Sequence, residues 1–177
     1  MAIGVRRLRP EDDRSDFHSG NIDLDRFFQN YAGQNQFRHH IGTTYVAVDG
    51  ERILGFATVA PSEIEVERLP SSRRKRLPRY PMPVLRLARL AVDARAQGRG
   101  VGGTLLKAVF VLARTRANDY GCAGVVVDAK PEALAFYQRY GFIEFPILAG
   151  QLGDRPEPRP MFLELGAIPE LIGQNPD

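Results

Sequence analysis

The chain has 177 residues, 44% of them hydrophobic and 25% charged, with a net charge of +3. That length suits one domain with a core of its own, and nothing approaches the ~18 consecutive apolar residues of a membrane span. The start, MAIGVRRLRPEDD, lacks the apolar stretch of an export signal. A lone cysteine, Cys122, leaves no internal disulfide and fits a reducing compartment, so a cytoplasmic protein is expected.

Residues 3–9 read as a short strand stopped by Pro10. Residues 21–37 carry Leu24, Phe27, Phe28 and Tyr31 at helical spacing, which predicts one amphipathic helix. Two β-rich runs, 43–48 and 53–60, meet through Asp49-Gly50, a hairpin signal. Residues 61–83 are polar, proline-bearing and basic, and read as a long connection, which in a compact domain points to function. Residues 84–92 form the next predicted strand. A glycine-rich turn and a helix over about 102–118 follow, with Leu105, Leu106, Val109, Leu112 and Ala113 on its apolar side and Gly121 beyond its end. The unbroken apolar character of 123–127 predicts a buried strand. Pro131 suits a first helical position and Gly141 a C-terminal cap. The last strands fall at 142–145 and 161–165, separated by a Gly/Pro-rich stretch at 150–160. This order predicts an α/β fold around one mixed sheet. It is read as a single domain over 1–177, with a basic insertion at about 61–83 and an extended final hairpin at about 146–165.

Charge is uneven along the chain. Arg68, Arg73, Arg74, Lys75, Arg76, Arg79, Arg86 and Arg89 follow one another with no acidic residue between them, directly after Glu63, Glu65 and Glu67. Such a run steers phosphates or nucleic acid. It also fits a solvated loop in a chain with 21 arginines and 3 lysines, and charge alone leaves both readings open.

The glycines at 98, 100, 102 and 103 in Gln97-Gly98-Arg99-Gly100-Val101-Gly102-Gly103 admit three readings. One is a tight connection. The second, a dinucleotide fingerprint, fits poorly, because that turn belongs after a first strand and this one follows the fourth. The Walker pattern is absent, since no Lys-Ser/Thr pair follows. The third is a phosphate cradle, in which glycines turn successive N–H groups toward one anion and the next helix adds its positive end. Gln97 and Arg99 add a neutral donor and a cation.

Residues 97–102 match the Q/R-x-x-G-x-G/A motif, and the chain from Ile3 to about Leu165 resembles the GNAT acetyltransferases. The resemblance implies a largely antiparallel mixed sheet with a splayed fourth/fifth strand pair, 87–93 and 123–128, and acetyl-CoA as donor. It implies donor contacts from Leu90, Ala91, Val92, Gln97, Gly98, Arg99, Gly100, Val101, Gly102 and Gly103, with a backbone N–H near 90–92 polarising the thioester. Phe17-His18-Ser19-Gly20, Leu24-Asp25, Phe27, Thr44-Tyr45-Val46, residues 86–92 and Ala135-Phe136-Tyr137 are similar to the GNAT toxins of type II toxin–antitoxin systems. Those enzymes acetylate the α-amine of aminoacyl-tRNA and stop translation, and pair with a ribbon-helix-helix antitoxin. A homodimer is implied by the same resemblance. Ser19 stands where many of them carry Cys, and 150–160 looks longer than their final hairpin.

Tyr137 is the candidate general acid for the departing thiolate, since a phenol keeps its proton at neutral pH. On spacing alone Ala133, Phe136, Tyr137 and Tyr140 also make a plain core face; the resemblance favours catalysis. Cys122 opens a buried strand and reads as core. Glu63, Glu65 and Glu67 alternate like one exposed strand face, and no base stands out. His18, His39 and His40 show no metal-ligand spacing, so no metal is expected. For a tRNA acceptor, Arg73, Arg74, Lys75, Arg76 and Arg79 are candidate phosphate contacts, with Arg86 and Arg89 nearer the reaction centre. Two alternatives stand beside this reading: an acetyltransferase for a small-molecule or protein amine, and a silent acyl-CoA-binding module.

Overall fold

The computed structural model describes residues 2–65, 81–145 and 158–168. Seven strands form one sheet in the order β1-β2-β3-β4-β5-β7-β6: β1 (Gly4–Arg7), β2 (Thr43–Asp49), β3 (Arg52–Ile64), β4 (Met82–Val92), β5 (Gly124–Ala129), β6 (Ile143–Glu144) and β7 (Arg159–Glu164). Every pairing is antiparallel except β4 with β5, the mixed, largely antiparallel sheet that the resemblance implies. Both long strands run further than expected. Pro61–Ile64 lies on β3 paired with the first residues of β4, so the connection between them starts at residue 65.

Two apolar layers sandwich the sheet. On one face α3 (Val101–Asp119) buries Val101, Leu105, Leu106, Val109, Phe110 and Ala113 at helical spacing. They pack on Ala57, Val59, Leu85, Leu87, Val125 and Val127, and the short α4 (Leu134–Arg139) adds Tyr137 to the same core. On the opposite face α1 (Ile22–Asn30) and α2 (Ala32–Phe37) cover β1–β3. There Phe28 stacks on Phe56 at 4.3 Å, and Phe17 meets Phe28 edge-on at 4.7 Å. Gln36 ties α2 down, accepting from Thr44 N–H (2.8 Å) and donating to Leu8 C=O (3.2 Å).

The single helix predicted over 21–37 is two helices, broken at Tyr31. Asn21 starts the first by accepting from Leu24 N–H at 3.1 Å. Arg14, far off in sequence, ends it: its guanidinium donates to the Phe28 carbonyl at 2.7 Å, an acceptor the helix would otherwise use. Gly33 leaves room for that side chain, since a Cβ there would lie 2.8 Å from Arg14 Nη2.

Two irregularities in β4 shape the centre of the molecule. First, β4 pairs with β5 over only three rungs, Leu85–Val125 to Leu87–Val127, and beyond Leu87 the strands part. Second, Thr58 pairs with Arg89 but Val59 with Leu87, which leaves Ala88 as a bulged residue at the point of parting. The bulge resets the alternation of faces. Leu85, Leu87, Leu90 and Val92 therefore all face the α3 core despite the odd step from 87 to 90. Arg86 and Arg89 share the other face. No helix among the described residues is long and apolar enough to cross a membrane.

Candidate active site

The site is built where β4 loses its partner. Asp93 N–H donates to Leu54 C=O at 2.8 Å, and bonded pairs alternate along an antiparallel ladder. Asp93, Ala91 and Arg89 thus turn their backbone groups to β3. Leu90 and Val92 turn theirs into the gap left by β5. Of the three candidates on this strand, Leu90 and Val92 offer open N–H groups, while Ala91 contributes a buried side chain under α1.

At the end of β4 the chain is locked before it turns. Asp93 is buried and caps the turn Ala94–Ala96, accepting from Arg95 N–H and Nε, each at 2.9 Å. The Arg95 guanidinium holds the Asp93 carboxyl down at about 2, well below its ordinary value. His18 N–H also donates to Asp93 (3.2 Å), and Ala94 N–H donates to His18 C=O (2.8 Å). Gln97 joins two segments, its Nε2 donating to Ser19 C=O (3.1 Å) and Val92 C=O (3.2 Å). Its amide therefore fixes the turn, which the sequence reading had as a ligand donor. Ser19 acts as a local brace: its hydroxyl donates to Asp25 at 2.6 Å and accepts from Asn21 N–H at 3.1 Å. No thiol is needed at that position for this geometry.

Gly98 (φ +80) and Gly100 (φ +78) then take left-handed conformations that side chains rarely adopt. Gly100 sits at the N-cap of α3 and supplies no capping side chain, and no acidic residue occupies the first turn. The N–H groups of Val101, Gly102 and Gly103 have no partner within the helix, since its first internal bond runs from Thr104 N–H to Gly100 C=O at 3.0 Å. They border a groove of about 580 Å³ lined by Val92, Gln97, Gly98, residues 100–104, Lys107, Phe136, Arg139 and Tyr140. A Cβ on Gly103 would collide with the Tyr140 hydroxyl. An anion here meets a helix N-terminus, two cations and no carboxylate, which fits a pyrophosphate and its thioester arm.

Lys107, Arg139 and Thr104 escaped the sequence reading, and Phe136 and Tyr140 appear in it only as a core face with Tyr137. Lys107 lies one helical turn beyond Gly103, so helical spacing from that glycine reaches it, whereas Arg139 is two residues from Tyr137, a step that helical spacing does not connect. Tyr137 itself is buried beside Phe136 and Phe142 (ring centroids 5.1 and 5.4 Å) rather than lining the groove. Burial pushes its phenol up to about 12, which keeps it protonated at neutral pH. Arg99 is exposed in the turn, outside the groove lining.

The basic residues divide. Arg73, Arg74, Lys75, Arg76 and Arg79 lie outside the described residues. Arg86 and Arg89 are on the sheet face away from the groove. Arg89 lies flat over the Phe27 ring at 3.7 Å, and Arg86 is bonded to Asp128 at 2.6 Å.

A seven-stranded sheet parted at β4/β5, an open strand edge and an anion-binding helix start define an acyl-CoA-dependent transferase, and residues 40–144 match the acetyltransferase (GNAT) domain model. The chain belongs to the GNAT acetyltransferase family. A "tRNA-acetylating toxin" of Mycobacterium tuberculosis (strain ATCC 25618 / H37Rv) is 33% identical over 138 residues, 77% of this chain and 82% of the relative. Among solved structures, AtaT complexed with acetyl-methionyl-tRNAfMet superposes with a TM-score of 0.80 at 25% identity, covering 94% of this chain and 96% of that one. AtaTR bound with AcCoA superposes with a TM-score of 0.74 at 27% identity, over 93% and 95% of the two chains.

Proposed function

We propose that this enzyme moves the acetyl group of acetyl-CoA onto the α-amine of aminoacyl-tRNA and so acts as a translation-blocking toxin. The observation that carries this reading is the opening through the sheet. An anion cradle lies on its α3/α4 side and two arginines lie on the other, so donor and acceptor reach one point from opposite faces. Similarity to a tRNA-acetylating toxin over most of both chains supports the choice of acceptor.

In this mechanism the pyrophosphate sits on the α3 N-terminus with Lys107 and Arg139 beside it, and the pantetheine arm runs along the open edge of β4. The acetyl carbonyl accepts from a β4 N–H, Leu90 or Val92, which stabilises the oxyanion that forms on attack. The amine lone pair adds to the carbonyl carbon, the C–N bond forms, and the C–S bond breaks. The thiolate takes the proton of Tyr137, the ammonium formed on nitrogen gives its proton to water, and the Tyr137 phenolate is reprotonated from solvent as the products leave. The aminoacyl ester's amine is less basic than that of lysine, so the reaction proceeds without a dedicated base. Arg73, Arg74, Lys75, Arg76 and Arg79 serve the acceptor's phosphates, with Arg86 and Arg89 nearer the reaction centre. An antitoxin of the ribbon-helix-helix type, a homodimer, and action in the cytoplasm where translation runs belong to the same proposal.

The test is transfer of labelled acetyl to charged tRNA, uncharged tRNA, a polyamine and a lysine peptide in parallel. Labelling confined to charged tRNA, and weakening as salt rises, is expected. Equal labelling of the polyamine or the peptide would overturn the assignment of acceptor.

A further inference from the structure

Asp128 is a carboxylate at the mouth of the gap that neither the fold nor the donor site requires. Its neighbours Val127 and Ala129 face the α3 core and Val126 the opposite layer, so by strand alternation Asp128 points away from α3. It is the first residue of β5 beyond the last rung shared with β4, level with the bulged Ala88. Its side chain is 52% exposed, and its contact is the Arg86 guanidinium, 2.6 Å away and itself 36% exposed. A half-exposed pair of this kind adds little to stability, so the fold gives no strong reason for it.

Position supplies one. The donor groove occupies the α3/α4 side of the parted strands, so an amine attacks the thioester from the Asp128 side. The oxyanion faces the β4 edge, and across the gap from that edge stands the end of β5 with Asp128. Resting on the function proposed above, we infer that Asp128 is the residue that receives the acceptor's α-amino group, with Arg86 holding the carboxylate at the mouth of the gap. The amine N–H donates to Asp128, and its lone pair is left toward the acetyl carbon. Arg89, on the same sheet face, then lies where the ester and the first phosphate of the acceptor end follow the amine. This divides the arginines by role: Arg86 works through Asp128, and Arg89, stacked on Phe27, faces the substrate itself.

The contact reads the amine, so the test compares two acceptors that differ only there. Aminoacyl-tRNA and the same tRNA esterified with the acid that carries hydrogen in place of the amino group are titrated onto the wild-type protein, Asp128→Asn and the reversed pair Arg86→Asp/Asp128→Arg. Acetyl-CoA binding is measured on each as a check of the fold. Wild type should favour the amine about tenfold, the size of one charge-assisted contact. Asp128→Asn should bind both esters alike, raise KM for aminoacyl-tRNA far more than it lowers kcat, and leave acetyl-CoA binding unchanged. The reversed pair should keep the fold and still lack the preference, and Asp128→Glu should restore part of it. Preference for the amine retained in Asp128→Asn would overturn this inference while the proposed function stood. Wild-type protein that neither binds nor acetylates aminoacyl-tRNA would overturn both.

Discussion

The two sides of the gap are made of different material. On the proposed donor side the backbone supplies the β4 edge at Leu90 and Val92, the glycine turn and the open amides at the start of α3, with Lys107 and Arg139 as the added cations. Asp93 and Arg95 brace that side from behind, and Gln97 lines it while its amide holds Ser19 and Val92. On the acceptor side the groups are side chains, Arg86, Arg89 and Asp128, standing exposed on a sheet face and held by one another or by Phe27. A backbone site fixes the shape of a ligand common to many enzymes and tolerates changes of side chain. A side-chain site can be exchanged residue by residue while the strands beneath it stay the same. The contrast accounts for one sheet serving many acceptors with a single donor.

Substitutions on either side should therefore fail in different ways. The largest effect is expected at Tyr137, the proposed general acid for the leaving group between the two. Tyr137→Phe should lower kcat by roughly 10²–10⁴-fold, the range of a lost general acid, with acetyl-CoA affinity unchanged by calorimetry. Undiminished turnover would return Tyr137 to the aromatic core it shares with Phe136 and Phe142. On the donor side, Gly103→Leu drives a side chain into the Tyr140 hydroxyl and the groove. Acetyl-CoA should then bind at least about tenfold more weakly, a loss of ~1.4 kcal/mol, with tRNA affinity intact. Lys107→Ala should weaken acetyl-CoA by about five- to tenfold at low salt and by less as salt rises. A loss independent of salt would place Lys107 away from the phosphates.

Behind the site, Asp93→Asn removes the charge that gathers Arg95 and His18. Thermal melts should show about 1–2 kcal/mol of lost stability. The Asp93 carboxyl is lower in the folded state than in the unfolded one, so its contribution is present at neutral pH and fades as pH falls through about 2. Asp93→Asn and wild type should accordingly converge in stability only in strong acid. The smallest signal is in the alkaline direction. Tyr137 must be protonated to act, and burial delays its ionisation to about 12. Across pH ~6 to ~9 the rate should rise once, as the acceptor amine loses its proton, with no falling limb. A fall near pH ~8.5 that disappears in Tyr137→Phe would show that the phenol titrates much lower than its burial implies.

The donor side was largely legible in the sequence, because what builds it is local. Glycines at 98, 100, 102 and 103 before an amphipathic run state a turn, a left-handed backbone and a helix start without reference to the rest of the chain. The acceptor side was not, because its geometry depends on pairing. Leu85, Leu87, Leu90 and Val92 alternate correctly only once Ala88 is bulged. Arg86 and Arg89, an odd step apart, share a face for the same reason, and the register that creates the bulge involves β3. Asp128 looked like the end of a buried strand, and only the parting of β4 from β5 exposes it. The split between α1 and α2 likewise turns on Arg14, a residue outside the helical pattern it interrupts. Gln97 shows the converse: its position was legible, but its use of Val92 and Ser19 as partners required the fold.

The central claim, that an amine on the arginine face meets a thioester held on the helix face, is tested most directly by the product. Charged tRNA incubated with the enzyme and acetyl-CoA is cleaved to its terminal aminoacyl-adenosine and sequenced by tandem mass spectrometry. The account predicts one added acetyl group, placed on the α-nitrogen, in the wild-type reaction and its near absence with Tyr137→Phe. An acetyl group on the ribose, on the base or on an amino-acid side chain, or no acetylated adenosine fragment at all, would contradict it.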